Sequence, residues 1–212
     1  MPKIKLPTKS PRIDMTPMVD LFSVVLTFLM LTTTMRQPEP APVDTPFSIS
    51  EKPTPDFNML TLLISNDGKV FLNLDNGPDT AYKVRRKVLA EMGKQYNVEF
   101  SEAEYREFEK MPSSMGVSMQ DMKAWFAADG NDKKAEFQKG VPIDSLDNQL
   151  AAWVLYARQI NPNVQACIKG DTKTKFPDLK KVLDILQDKN LNKFNLITSL
   201  EAVKVTEENT QQ

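Results

Sequence analysis

Residues 14–31 read DMTPMVDLFSVVLTFLML, and this stretch decides how the rest of the chain is interpreted. Its only charged side chains are Asp14 and Asp20, and the residues after Asp20 are almost all apolar. About 20 helical residues cross the hydrocarbon core of a bilayer, so the pattern predicts a transmembrane helix over residues 15–36. A carboxylate at the centre of such a helix costs about 2.5–3.5 kcal/mol or more, which makes Asp20 the first candidate for a functional group.

The charges on either side of the predicted span set its expected orientation. Net-acidic sequence follows Arg36, whereas four basic residues precede the span: Lys3, Lys5, Lys9 and Arg12. The positive-inside rule places residues 1–14 in the cytoplasm and the bulk of the chain on the other side of the membrane. A cleaved signal peptide is the alternative. Asp20 in front of the apolar core, and the sequence TTTMR at residues 32–36, make a poor cleavage site.

The predicted span has one polar face. At about 100° per residue, five side chains fall within roughly 60° of one another: Thr16, Asp20, Ser23, Thr27 and Thr34. Such a stripe is expected to face other helices or a hydrated path rather than lipid. We therefore take Asp20 as the candidate proton-carrying carboxylate, with Ser23 and Thr27 as its polar support. Thr16 and Thr34 share the face and are weaker candidates.

An alternative interpretation gives Asp20 only a structural role. The helix is expected to begin at Thr16-Pro17, because threonine caps helices and proline is tolerated at the first helical position. Asp20 then lies within about one turn of the N-terminus, where the helix dipole and headgroup water stabilise its charge. Serine and threonine can also bond back to their own helix. In that case the helix is a plain anchor.

Composition excludes several kinds of catalytic site. Histidine is absent, which removes histidine-based catalysis and histidine metal ligands. Cys167 is the only cysteine, so no intrachain disulfide and no cysteine-based zinc site is expected, and its apolar surroundings indicate a small core residue. The 27 basic and 28 acidic residues give no field that favours nucleic acid. No phosphate-binding loop or catalytic cluster occurs, so we expect no enzyme, cofactor or metal.

The sequence after the span divides into a linker, a domain and a tail. Residues 37–58 carry six prolines and few large apolar side chains, which predicts an extended, disordered linker, with addition of Phe47-Ser48-Ile49 to a sheet edge as the less common alternative. Residues 59–205 predict a small α+β domain, and residues 206–212 a disordered tail. Within the domain we expect a strand hairpin turning at Asn66-Asp67-Gly68.

The later part of this domain predicts two helices packed on one sheet. A first helix, starting near Asp144, precedes a strand over residues 164–168. A last strand is expected over about 193–200. The second helix, before that strand, is predicted to bury one apolar face: Phe176, Leu179, Val182, Leu183 and Leu186.

Residues 76–142 predict a helical insertion in that domain. Tyr82 is expected to begin the apolar face of one helix, Ser101 and Glu104 form the capping box of another, and Ser118 is expected to open a third. Methionines follow at a helical spacing: Met111, Met115, Met119 and Met122. They indicate either an adaptable binding surface or, more commonly, the filling of a small core.

The stretch DMTPMVDLF at residues 14–22, with its Leu-rich continuation into Thr32-Thr33, resembles the signature of the ExbD/TolR family. The resemblance covers roughly residues 10–36, 57–75 and 143–200. The chain departs from the family pattern at Phe176-Pro177, where a Tyr-Gly pair is frequent, and around Lys189-Asn190, where a glycine is usual. The insertion is a further departure.

The resemblance implies that Asp20 is the protonatable residue of a proton-driven motor in the bacterial inner membrane. It implies a dimer of these single-pass chains enclosed by a pentamer of a polytopic ExbB-like subunit, with the C-terminal domain in the periplasm. The implied client is a TonB-like energy transducer for outer-membrane transport, and peptidoglycan is a further candidate partner. Two alternatives stay open: a TolR-like subunit of the Tol-Pal constriction motor, and a membrane-tethered periplasmic binding module without proton coupling.

Overall fold

The structure, a computed structural model, describes residues 14–32, 39–49, 53–77, 82–111, 114–144 and 147–200. The chain divides into two units, Met1–Gln37 and Pro38–Gln212. The first unit contains the helix α1 (Thr16–Thr32). The second is a mixed α+β unit containing, in chain order, β1 (Phe47–Ser48), β2 (Met59–Ile64), β3 (Val70–Leu74), α2 (Val84–Tyr96), α3 (Glu102–Lys110), α4 (Met122–Ala127), α5 (Asn131–Glu136), α6 (Gln149–Ile160), β4 (Gln165–Gly170), α7 (Phe176–Asp188), β5 (Phe194–Leu196) and β6 (Ser199–Leu200).

The first unit differs in extent from the helix expected there. A transmembrane helix was predicted over residues 15–36, and α1 covers 17 residues of that range. Over the stretches of chain that the structure describes, no helix combines the length and the apolarity needed to cross a membrane. Residues 33–36 of the predicted span lie outside the described residues.

A four-stranded sheet in the order β3-β2-β4-β5 is the framework of the second unit, within the described residues. The predicted hairpin is confirmed, because β2 and β3 pair antiparallel and Gly68, at φ +73°, donates its N–H to Ser65 O at 2.9 Å. β4 and β5 join in parallel register. The last strand, predicted as one piece over 193–200, is split, since β6 leaves this sheet and pairs with β1.

The main core lies on one face of the sheet, under α6 and α7. Leu62, Ile168 and Trp153 are among its fully buried side chains. The predicted buried face of α7 is correct for Val182 and Leu186, but the prediction was wrong for Phe176, which is 69% exposed. Phe176 is the first residue of α7, so its side chain precedes the part of the helix that packs on the core.

The insertion shares this core instead of forming a separate one. Met115, Met119 and Met122 are fully buried, which confirms their use as core residues. The capping box at Ser101 and Glu104 is also confirmed. α2, α3 and α4 therefore contribute buried residues to the same core as the sheet.

Two helix starts in the insertion differ from the predicted ones. Tyr82 lies outside α2, because Lys83 takes a left-handed conformation at φ 50° and separates it from the helix. Ser118 does not begin a helix. Its hydroxyl donates to Asp121 Oδ2 at 3.0 Å and accepts the Asp121 N–H at 3.2 Å, which closes a turn. α4 begins only after this turn, at Met122.

Residues 39–49 differ from the disordered linker predicted over 37–58. The backbone N–H of Asp44 donates to Asp171 Oδ2 at 3.1 Å, and Thr172 N–H donates to Asp44 O at 2.8 Å. Ala41 is buried beside Leu63 and Phe71, on the face of the sheet opposite the main core. The extended, proline-rich backbone leaves its polar groups free to bond to the domain, which the composition by itself did not reveal.

Acidification should release residues 39–44 from the loop that follows β4. Asp171 accepts the N–H groups of Lys173 and Asp44, and these bonds hold the pKa of its carboxyl below the ordinary value of 3.8. A depressed folded-state pKa stabilises the contact above the unfolded pKa, and that stabilisation is lost as pH falls through the folded value, below 3.8. The Asp44 amide resonance should follow this titration in NMR spectra. In Asp171→Asn, the Asp44 amide should already have at neutral pH the chemical shift of the released segment. In Asp67→Asn, the Asp44 amide should titrate as in the wild type.

Candidate functional site

Asp14 caps the N-terminus of α1. Its Oδ1 accepts the Thr16 backbone N–H at 3.0 Å and the Thr16 hydroxyl at 2.5 Å. The hydroxyl bond first, and then the backbone bond, lower the pKa of Asp14. Thr16 was expected to cap the helix, but it is itself the first helical residue, and its hydroxyl donates a hydrogen bond to Asp14. The helix therefore has a capping carboxylate that is not Asp20.

Asp20 lies beyond this cap, as the fifth residue of α1. Its carboxylate makes no hydrogen bond or ion pair with any residue that the structure describes. The N–H groups of Met18 and Val19 are already paired with Met15 O at 3.1 and 3.2 Å. An interpretation of Asp20 as a plain cap therefore has no contact to support it among these residues.

The structure places Thr16, Asp20, Ser23 and Thr27 on one continuous helix, and Thr34 lies outside the described residues. At 1.5 Å per residue, Ser23 follows Asp20 by about 4.5 Å along the axis and Thr27 by about 10.5 Å. The Thr27 hydroxyl lies 3.0 Å from Ser23 O and 2.8 Å from Val24 O, so it bonds back to its own helix. Support of Asp20 by Thr27 is thus not seen in this arrangement.

The remaining surface of α1 is apolar and unburied. Leu21, Phe22 and Leu26 are 63%, 57% and 66% exposed, and the helix buries none of its residues. An exposed apolar surface of this extent marks a site that other helices or lipid cover. The only formal charge on α1 thus stands on a helix whose apolar side chains are exposed.

Across the described ranges, no three histidine, cysteine, aspartate or glutamate side chains come together as metal ligands. Cys167 is fully buried, and burial raises the pKa of its thiol, which confirms it as a core residue. An open groove of about 620 Å³ lies between residues 40–44 and the β2–β3 turn, and its charged lining is mixed: Asp44, Asp67, Asp171, Lys69 and Lys173.

Sequence reasoning missed a buried arginine that joins the insertion to the sheet. Arg85 is 8% exposed, and its guanidinium donates to Leu74 O and Met111 O and, at 2.8 Å, to Asn73 Oδ1. The helical spacing could have indicated its burial, because Arg85 precedes Leu89 by four residues and Met92 by seven and therefore shares their apolar face.

A second buried polar group, Gln149, was also missed. Its Oε1 accepts the Met119 N–H at 2.8 Å, and its Nε2 donates to Gln120 Oε1 at 2.8 Å and to Asp147 Oδ2 at 2.7 Å. Tyr96 donates to Asp147 Oδ1 at 3.0 Å, and burial together with this carboxylate raises the pKa of Tyr96 to about 12. Arg85 and Gln149 both position the insertion, and neither residue lies near Asp20 in sequence.

Comparison with known proteins supplies one family. The family model described as Biopolymer transport protein ExbD/TolR matches residues 7–201, a range that includes α1 and the insertion. The search of curated proteins gave no match, and neither did the search of solved structures.

Proposed function

Because the chain belongs to the ExbD/TolR family of biopolymer transport proteins, we propose that it is the proton-carrying subunit of an inner-membrane motor that energises TonB-dependent outer-membrane transport. The observation that carries this proposal is the Asp20 carboxylate, which has no partner among the described residues while Asp14 caps the helix. A charge placed on an apolar helix without a structural bond is expected to act on something outside the chain.

The proposed mechanism alternates Asp20 between two protonation states. Water from the periplasmic side protonates the carboxylate, and the neutral carboxyl then passes an apolar surface of a partner helix, where a charge would be disfavoured. Release of the proton to the cytoplasm restores the charge. Each proton that crosses supplies about 2.3 kcal/mol per 100 mV of membrane potential. The second unit transmits the resulting motion to the client.

The proposal includes an assembly around α1. α1 is the core of a single membrane anchor, with the N-terminus in the cytoplasm and the second unit in the periplasm. Two copies are enclosed by a pentamer of an ExbB-like polytopic subunit, which covers the apolar surface of α1. A TonB-like transducer is the client, and peptidoglycan is a candidate contact of the second unit.

A deletion strain tests which client the motor serves. Loss of growth on a substrate that requires active outer-membrane uptake supports the TonB-linked role. Envelope leakage with normal uptake indicates the TolR-like role. If a variant whose α1 is exchanged for an unrelated anchor rescues the strain, the chain is a tethered binding module without proton coupling.

Replacing Thr27 by valine should leave uptake within about twofold of wild type, because its hydroxyl bonds to the carbonyls of its own helix and valine keeps the shape. Ser23→Ala is the comparison, since the Ser23 side chain lies one turn from Asp20. Uptake rates at equal protein levels provide the measurement. A severe defect in Thr27→Val would show that this hydroxyl leaves its carbonyls and serves the proton path.

A further inference from the structure

The outer edge of β3 is paired with the insertion. Leu72 and Met115 exchange two backbone hydrogen bonds, of 2.7 and 2.8 Å, and Val141 N–H donates to Val70 O at 2.7 Å. The guanidinium of Arg85 donates a hydrogen bond to Leu74 O. Four of the backbone groups that this edge would offer to another chain are thus occupied: Val70 O, the N–H and the carbonyl of Leu72, and Leu74 O.

The part of the insertion that contacts β3 through Met115 and Val141 is called the edge cap here, and Gly116 holds it in place. A Cβ at Gly116 would collide with the Phe71 ring and would lie 3.0 Å from Gly140 Cα. Its N–H donates to Gln138 Oε1 at 2.5 Å, and its carbonyl accepts the Gly140 N–H at 2.8 Å. The capping segment therefore fits against β3 only because residue 116 has no side chain.

An uncovered β3 is suited to pairing with itself. Antiparallel pairing of two copies about Leu72 would place Val70 opposite the second copy's Leu74, since β3 is centred on Leu72. The same register puts Lys69 of each copy opposite Asp75 of the other. Directly opposed charges of unlike sign stabilise an antiparallel pair.

We propose that the insertion is an edge cap, held by Gly116, that prevents a second copy of this chain from pairing with β3. Its role is thus to exclude one mode of self-association. The proposal rests on the second unit alone and does not depend on the motor function.

The test is Gly116→Val in the full chain in detergent, treated with a zero-length carbodiimide crosslinker and analysed by mass spectrometry. The expected product is a peptide that joins Lys69 to Asp75. Within one strand these residues are about 20 Å apart at 3.3–3.4 Å per residue, so such a crosslink must join two copies. Hydrogen exchange at the Met115 amide reports in parallel whether the cap has opened, because the Leu72 amide would be paired again by the second copy.

Gly170→Ala is the matched control, because no atom lies within 4 Å of the added methyl group. It should keep the Met115 amide protected and give no Lys69–Asp75 product, as should the wild type. If Gly116→Val does not fold, Gln138→Ala removes only the acceptor of the Gly116 N–H and is measured in the same way.

Three results would overturn the proposal. The first is a Lys69–Asp75 product in the wild type, which would show that the cap does not exclude a second copy. The second is an exposed Met115 amide without the product. The third is full protection of the Met115 amide in a folded Gly116→Val, which would show that Gly116 does not hold the cap.

Discussion

Replacing Asp20 by asparagine should abolish energised uptake across the outer membrane, to the level of a strain that lacks the chain. Asparagine has nearly the shape of aspartate and keeps a polar group on α1, but it cannot bind and release a proton at the position of the carboxylate. The complex should still assemble, because the Asp20 carboxylate makes no bond with the described residues that its loss would break. Growth on a substrate that needs active uptake, at equal protein levels, is the measurement.

Two further variants make this result specific. Asp14→Asn removes the other carboxylate of the same segment but keeps an amide oxygen that can accept the Thr16 N–H, so uptake should persist. Asp20→Glu retains a titratable group one methylene further out and should retain part of the activity. Unchanged uptake in Asp20→Asn, in a strain without a redundant copy, would reduce α1 to an anchor and move the search to the second unit.

Replacing Arg85 by methionine should lower the free energy of unfolding of the second unit by about 2–4 kcal/mol, because the carbonyls of Leu74 and Met111 lose a charged donor in a buried site. Burial lowers the pKa of Arg85, with the Asp75 carboxylate partly opposing this, so the site already holds the guanidinium at a cost. Methionine fills much of the volume, which separates the loss of hydrogen bonds from the loss of packing.

The adjacent Arg86 provides the control for this prediction. Arg86 is more accessible than Arg85, with 29% of its side chain exposed, and it pairs with Glu102 and, at 3.8 Å, with Glu109. An ion pair that water reaches contributes little, and Glu102 is 66% exposed, so Arg86→Met should shift the unfolding midpoint less than Arg85→Met. Denaturant unfolding followed by the fluorescence of Trp125 and Trp153, both in the common core, reports the difference. Equal shifts for the two variants would mean that Arg85 contributes no more than its partly exposed neighbour.

Features that depend on neighbouring residues were accessible from the sequence. The β2–β3 hairpin follows from alternating apolar residues around Asn66-Asp67-Gly68, and the capping box follows from the spacing of Ser101 and Glu104. The family resemblance begins at residues 14–22 with their Leu-rich continuation and resumes over 57–75 and 143–200, and the family match over residues 7–201 agrees with it. In the hairpin and the capping box, a few adjacent side chains carry the signal.

Some local patterns misled because one backbone angle or one end position decides the outcome. Phe176 continues the apolar periodicity of α7, yet it is exposed because it stands at the first position of the helix. Tyr82 continues that of α2, yet the positive φ of Lys83 excludes it from the helix. Periodicity describes the interior of a helix, and it does not report where the helix begins.

The sequence by itself determined the apolar helix with its single carboxylate, the hairpin and the family, because these are properties of short runs of residues. Only the tertiary structure decided that residues 39–49 lie on the domain and that the insertion shares the main core and covers the edge of β3 through Met115 and Val141. These contacts join residues tens of positions apart, and loop length hardly restricts which distant segments meet. Which of them form depends on fits such as that of Gly116 against Phe71, which no local pattern encodes.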